Sequence, residues 1–142
     1  MKINKYLKEL GYEWEDLPGN YNPELDFGDC PASDPRNEED EEGMCGYEFF
    51  SLDHSLALYI YPRLCVFKEY CAIYGTPGCF CYDKYGNHRK DGHERWIKEL
   101  DKMILAFRYI LKAPEEKDNK TIERTIEAGL KSFAKYYSCL WY

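Results

Sequence analysis

Long apolar runs are what this chain most plainly lacks. No stretch approaches the roughly 20 consecutive apolar residues needed to cross a bilayer, and the opening MKINKYLKELGYEWED has no apolar core of the kind a secretion signal carries. No membrane partner is therefore expected, and a cytoplasmic location is. Basic charge is also scarce, with 19 Lys/Arg against 26 Asp/Glu and a net charge of −7. A protein that grips long nucleic acid normally presents a basic stripe, so no long nucleic acid is expected as a partner. The motifs of common catalysis are missing too. There is no Gly-x-Ser-x-Gly elbow and no glycine-rich phosphate loop ending in Gly-Lys-Ser/Thr. No catalytic residue and no cofactor is assigned on this basis, and a binding protein is expected before an enzyme.

Cysteine, by contrast, is abundant. Seven cysteines would suit a secreted disulfide scaffold, but the number is odd and no export signal accompanies them. Reduced thiols packed as small hydrophobes are expected. Cys79-x-Cys81, with Cys71 before it and His88 and His93 after it, gathers soft ligands. Structural zinc usually wants at least two residues between paired cysteines so that the chain can wrap the ion. No metal site is expected.

The charge is unevenly placed. Residues 1–46 carry 4 Lys/Arg against 13 Asp/Glu, and residues 47–142 carry 15 against 13. A single domain of 142 residues is expected to hold a short helix in 1–16, an acidic loop over 17–48 and a helical body over 49–142. The loop contains four of the seven prolines and the acidic run Glu38–Glu42, while Trp14, Tyr21 and Phe27 can pin its first half to the body. Asn4 and Gly11 suit the two caps of the first helix.

Helical periodicity organises the rest. The segment 51–74 reads as a helix ended by Gly75 and Pro77 and bent at Pro62. At 100° per residue, Leu52, Leu56, Ile60, Leu64, Phe67 and Cys71 fall on one face, with Asp53 and Arg63 inside the same arc. Leu58, Cys65 and Ala72 make a second stripe opposite, which predicts a helix shared with another subunit and hence a homo-oligomer, most simply a dimer. Phe80–Arg89 reads as a small β-hairpin turning at Gly86, an insert near 79–89. Asp91 and Glu94 form a capping box for a helix carrying Trp96, Leu100, Met103 and Phe107. A last helix over 119–141 carries Ile122, Ile126, Leu130, Phe133, Tyr137 and Leu140, and Gly129 within its stripe implies a closely approaching neighbour. The apolar ending SCLWY is expected to dock. The predicted architecture is mainly α, an antiparallel bundle of three long helices with a short N-terminal helix.

Asp53 and Arg63 are the candidates for a site. Burying an unpaired charge is costly, so each needs a partner, a ligand or a wet cleft. They stand about 15 Å apart along the helix and cannot pair with each other. One reading is structural: Asp53 complements the helix dipole, and Arg63 satisfies carbonyls or an acid elsewhere. The other makes Arg63 an anion-binding fork at the bend, with Asp53 holding a polar group of the ligand and Tyr59, Tyr61, Tyr70 and Tyr74 offering stacking surfaces.

The runs Phe50-Ser51-Leu52-Asp53, Ile60-x-Pro62-Arg63-Leu64 and Phe133-x-Lys135-Tyr136-Tyr137-x-x-Leu140-Trp141, together with Leu100-Asp101-Lys102-Met103, Ala106-Phe107 and Gly129-Leu130, resemble a group of small proteins encoded by tailed bacteriophages and prophages. The resemblance covers about residues 49–74 and 95–141 and leaves out the acidic segment and the cysteine-rich insert. It implies a phage context and places Asp53, Pro62 and Arg63 in the shared pattern. By analogy it implies an accessory role. The expectation is a binding protein for a small anionic, nucleotide-like ligand, held by Arg63, Asp53, His54, Tyr59 and Tyr70, that sequesters a host-defence signal. The alternatives are a protein that blocks a host protein and, more weakly, a small hydrolase using His54 and Asp53.

Overall fold

A computed structural model describes residues 2–13 and 51–141. They divide into two compact units, Met1–Pro62 and Arg63–Tyr142. In chain order the elements are α1 (Lys2–Lys8), α2 (Leu52–Tyr74), the single turn α3 (Gly78–Cys81), α4 (Gly92–Leu111), α5 (Asn119–Tyr136) and a 3-10 turn at Tyr137–Cys139. The described chain is mainly helical, as its patterning implies. The acidic segment expected over 17–48, with Glu38–Glu42 and the aromatics Trp14, Tyr21 and Phe27, lies outside the described residues.

In the first unit, α1 begins at Lys2, so Asn4 lies inside the helix and not at its cap. Its C-terminus is as expected. Gly11 takes φ +85°, and the Gly11 and Tyr12 N–H groups donate to the Lys8 and Leu7 carbonyls, both at 3.0 Å. This pairing is the Schellman closure, which needs the left-handed conformation that glycine adopts freely. Leu7 and Leu10 are buried.

The helix α2 ends at Tyr74, where the Gly75 N–H still reaches the Cys71 carbonyl at 3.2 Å and Gly75 turns to φ +131°. Pro62 sits inside it, fully buried. The face it buries matches the predicted one only in part. Ala57, Leu58, Tyr61, Leu64, Cys65 and Cys71 are buried, whereas Leu52 and Leu56 are about half exposed at 51% and 49%. The buried arc is turned by about a third of a turn from the Leu52–Leu56–Ile60 stripe. The cause is legible in hindsight: the segment LALYIY is apolar all round, so periodicity alone selects no side. Two consequences follow. Asp53 and Arg63 are exposed, so neither charge is buried in a core. Of the second stripe, Leu58 and Cys65, at 5% and 6%, are covered within one chain, while Ala72 is exposed.

The second unit is built on α4 and α5. Trp96 lies against Tyr136, Ser132 hydrogen-bonds Glu99, and Gly129 faces Lys102 and Ala106. Numbers rise on one helix as they fall on the other, so the pair is antiparallel. The residues predicted to line α4, Trp96, Leu100, Met103 and Phe107, are buried, and Ala106 is buried with them. On α5 the seam runs through small residues. Gly129 and Ser132 are buried, Ile122, Ile126 and Phe133 are half-buried, and Leu130 is exposed. A Cβ at position 129 would overlap the Ala106 Cβ and the Lys102 carbonyl oxygen. The neighbour that Gly129 implied is therefore α4. Such close approach turns the bulky residues of α5 to the flanks of the seam. The helix stops at Tyr136, and Tyr137, predicted on its stripe, and Trp141, in the ending expected to dock, are each 67% exposed.

The predicted hairpin is absent, and among the described residues there is no strand. Cys79–Cys81 lies in the helical turn α3, which buries Phe80. What survives of the hairpin is its reversal. Gly86 takes φ +83°, and one antiparallel bridge joins Tyr82 to His88. Asp83 holds the turn by accepting the Tyr85 and Asn87 backbone N–H groups at 2.8 and 2.9 Å. The Asp91–Glu94 capping box also fails to form. Asp91 makes no side-chain cap bond and lies 3.5 Å from Arg89, while Glu94 accepts from Lys98 at 2.6 Å.

The cap of α5 does form. Asp118 accepts the Thr121 N–H at 2.9 Å and the Thr121 hydroxyl at 2.7 Å, and these bonds hold its carboxyl below the ordinary carboxylate value. A depressed acid supports the fold above its unfolded pKa and loses that support as pH falls through its folded value. Asp118→Ala is expected to lower the melting temperature by about 2–4 °C at pH 7. The gap from the parent should narrow below about pH 3.8, the acid's ordinary value, as read by thermal melts across pH.

Candidate functional site

The predicted site residues are distributed along α2. Asp53 occupies its first turn, where a carboxylate meets the positive end of the helix dipole. Arg63 stands one residue after the buried Pro62. Tyr59 is exposed. His54 is half-buried, and its Nε2 lies 3.2 Å from the Tyr12 hydroxyl with ring centroids 5.8 Å apart. Tyr70 is half-buried and stacks on Tyr74, centroids 5.8 Å apart and planes inclined by 23°. Asp53, His54 and Tyr59 belong to the first unit, and Arg63 and Tyr70 to the second. The structure thus ties His54 to Tyr12, a contact that helical periodicity does not predict, and Tyr70 to Tyr74, an i, i+4 pair that it does.

A second constellation escaped the sequence reading. In the second unit, Phe80 from α3 packs between Trp96 of α4, at 5.1 Å, and Tyr136 of α5, at 5.0 Å. Trp96 also meets Tyr136 at 6.1 Å and Phe67 of α2 edge-on at 6.4 Å. Trp96 is fully buried, and its indole N–H has no oxygen or nitrogen acceptor. Burial pushes the Cys71 thiol above its ordinary value, and the indole beside it opposes that shift as a weak donor. The turn α3 comes so near the start of α4 that a Cβ at Gly92 would overlap the Phe80 carbonyl. Glycine is required there for close approach, a signal the sequence carried without naming the neighbour.

Four of the thiols are set around this aromatic cluster. Cys79 Sγ lies 3.2 Å from Cys139 Sγ. Burial and then the neighbouring Cys139 push the Cys79 thiol up to about 11. Cys81 turns the other way and donates to the Thr76 carbonyl at 3.3 Å, while the Thr76 hydroxyl meets His93 Nδ1 at 2.8 Å. The described cysteines, Cys65, Cys71, Cys79, Cys81 and Cys139, are free thiols. Among the described residues no group of three or more His, Cys, Asp or Glu is arranged to hold a metal ion, and no helix is long and apolar enough to cross a membrane.

Ionic contacts fasten the outer faces of the second unit. Lys68 of α2 pairs with Asp101 of α4 at 2.5 Å. Glu99 is pushed up by its partial burial, but bonds from Lys102 at 2.8 Å and Ser132 at 2.5 Å outweigh that and hold it below its ordinary value. Comparison with known protein families, with curated proteins and with solved structures gives no match.

Proposed function

We propose that this chain is a non-enzymatic accessory protein of a tailed bacteriophage or prophage, acting in the host cytoplasm by binding a small anionic, nucleotide-like ligand and so sequestering a host-defence signal. The observation that carries the reading is the exposure of Arg63 on α2. A guanidinium presents a planar fork that matches phosphate oxygens, and a tyrosine ring such as Tyr59 offers a surface on which a base can stack. The Tyr70–Tyr74 stack supplies a second aromatic surface. Asp53 accepts from a polar group of the ligand, and His54 is oriented by Tyr12. In this reading the three long helices form an antiparallel bundle, and the protein is a homo-oligomer, most simply a dimer.

The test is a thermal shift against a panel of mono-, di- and cyclic nucleotides. A ligand present at 100 times its Kd adds about 2.7 kcal/mol, a rise of several degrees. Arg63→Ala should keep the helical circular dichroism of the parent while losing the shift. An Arg63→Ala protein that unfolds would assign the arginine to structure, and a panel with no shift would remove the nucleotide reading altogether.

A second reading has its own observation. Ile73 and Tyr74 at the end of α2 are exposed, as are Tyr137 and Trp141, and exposed apolar residues of this size mark protein contacts when they cluster. Under it the chain occupies and blocks a host protein. A chain that pulls down one host protein stoichiometrically and ignores every nucleotide would favour it.

A further inference from the structure

We propose that Cys79 and Cys139 are an oxidation site: they close into one intramolecular disulfide when the chain meets a low-molecular-weight disulfide such as oxidised glutathione. The two sulfurs are already 3.2 Å apart across 60 residues of sequence. Their positions are fixed by neighbours that do not depend on the sulfurs. Phe80, next to Cys79, and Tyr136, three residues before Cys139, pack on each other and on Trp96. The same aromatic cluster therefore anchors both thiol-bearing segments.

Among the described residues the other thiols are poor competitors. Cys65 and Cys71 are buried, out of reach of an oxidant in solution. Cys81 is turned to the Thr76 carbonyl, and Cys-x-Cys would close a small strained ring. Cys79 is exposed and gives the oxidant access. The chemistry is thiol–disulfide exchange. One thiol loses its proton, and its sulfur attacks the small disulfide, forming a mixed disulfide and expelling one small thiolate. The second protein thiol then loses its proton and attacks the protein sulfur of that mixed disulfide, expelling the second. Two protein thiols are oxidised, one small disulfide is reduced to two small thiols, and the released protons are taken up by those products. The bond formed would tie the 3-10 turn after α5 to α3, enclosing α4 and α5 in one covalent loop.

The experiment uses the full chain, incubated with oxidised glutathione or with a reductant, then alkylated under denaturing conditions and weighed. The oxidised sample should be lighter than the reduced one by about 2 Da before alkylation, should alkylate at five of its seven cysteines, and should melt roughly 10 °C higher, the scale expected for closing a loop of this length. Fragmentation should place the cross-link between residues 79 and 139. Cys79→Ser and Cys139→Ser should each abolish the mass loss and the rise in melting temperature, while Cys81→Ser leaves both in place. The proposal is overturned if the parent alkylates at all seven positions, if glutathione stays attached at Cys79, or if the cross-link maps to another cysteine. The mass measurement on the parent decides the matter even where a variant fails to fold.

Discussion

Trp96→Ala is expected to destabilise the Arg63–Tyr142 unit by about 3–5 kcal/mol, a large share of the 5–15 kcal/mol typical of a folded domain. The residue has no exposed surface and touches rings from three other elements, Phe67, Phe80 and Tyr136. Truncation opens a cavity that backbone relaxation cannot fill, because α3 is already pressed against α4 at Gly92. Trp96→Phe separates packing from polarity. It keeps an aromatic body and removes a buried N–H that has no oxygen or nitrogen acceptor among the described residues, so it should cost less than about 1.5 kcal/mol. Urea unfolding followed by circular dichroism measures both. A cost below 1 kcal/mol for the alanine variant would show that the aromatic cluster is not the centre of this unit.

Gly129→Leu is the second large effect. A side chain at this position must displace the Ala106 methyl and the Lys102 carbonyl, and backbone does not yield like the tip of a flexible side chain. Overpacking costs about 1–3 kcal/mol and sometimes more, offset by at most about 1 kcal/mol of helix propensity. A net loss of about 2–3 kcal/mol is expected for leucine and a smaller one for Gly129→Ala. Ala128→Leu, one residue away and exposed, should stay within about 0.5 kcal/mol of the parent. Equal effects at 128 and 129 would contradict the close α4–α5 seam.

How much of this was readable beforehand depended on whether polar residues divided the helix into faces. They do so on α4, where Trp96, Leu100, Met103 and Phe107 share one side and Lys98, Lys102 and Arg108 lie outside it, and the predicted core is the observed one. They do not on α2. With Leu56, Leu58, Tyr59, Ile60 and Tyr61 all apolar, the choice of face passes to tertiary packing, which selects the side of Ala57 and Leu58. The inference that Asp53 and Arg63 enter a core failed with it, and so did the argument for a dimer through Leu58 and Cys65. The Cys79–Cys81 segment was misread because three alternating residues fit a strand and a helical turn equally well. The flanking Pro77 and Gly92, which start α3 and let it approach α4, were the better signal. The meeting of Cys79 with Cys139 is set by the antiparallel return of α5 and has no local signature at all.

Arg63 carries the functional proposal, so its most direct test is isothermal titration of the full chain with the panel nucleotide that gives the largest thermal shift, comparing the parent with Arg63→Lys and Arg63→Ala. If the guanidinium grips phosphate as a two-pronged donor, the lysine variant should bind at least 10-fold more weakly, since a point charge cannot reproduce the fork, and the alanine variant should not bind measurably. A Kd unchanged in both folded variants would contradict a phosphate site at Arg63.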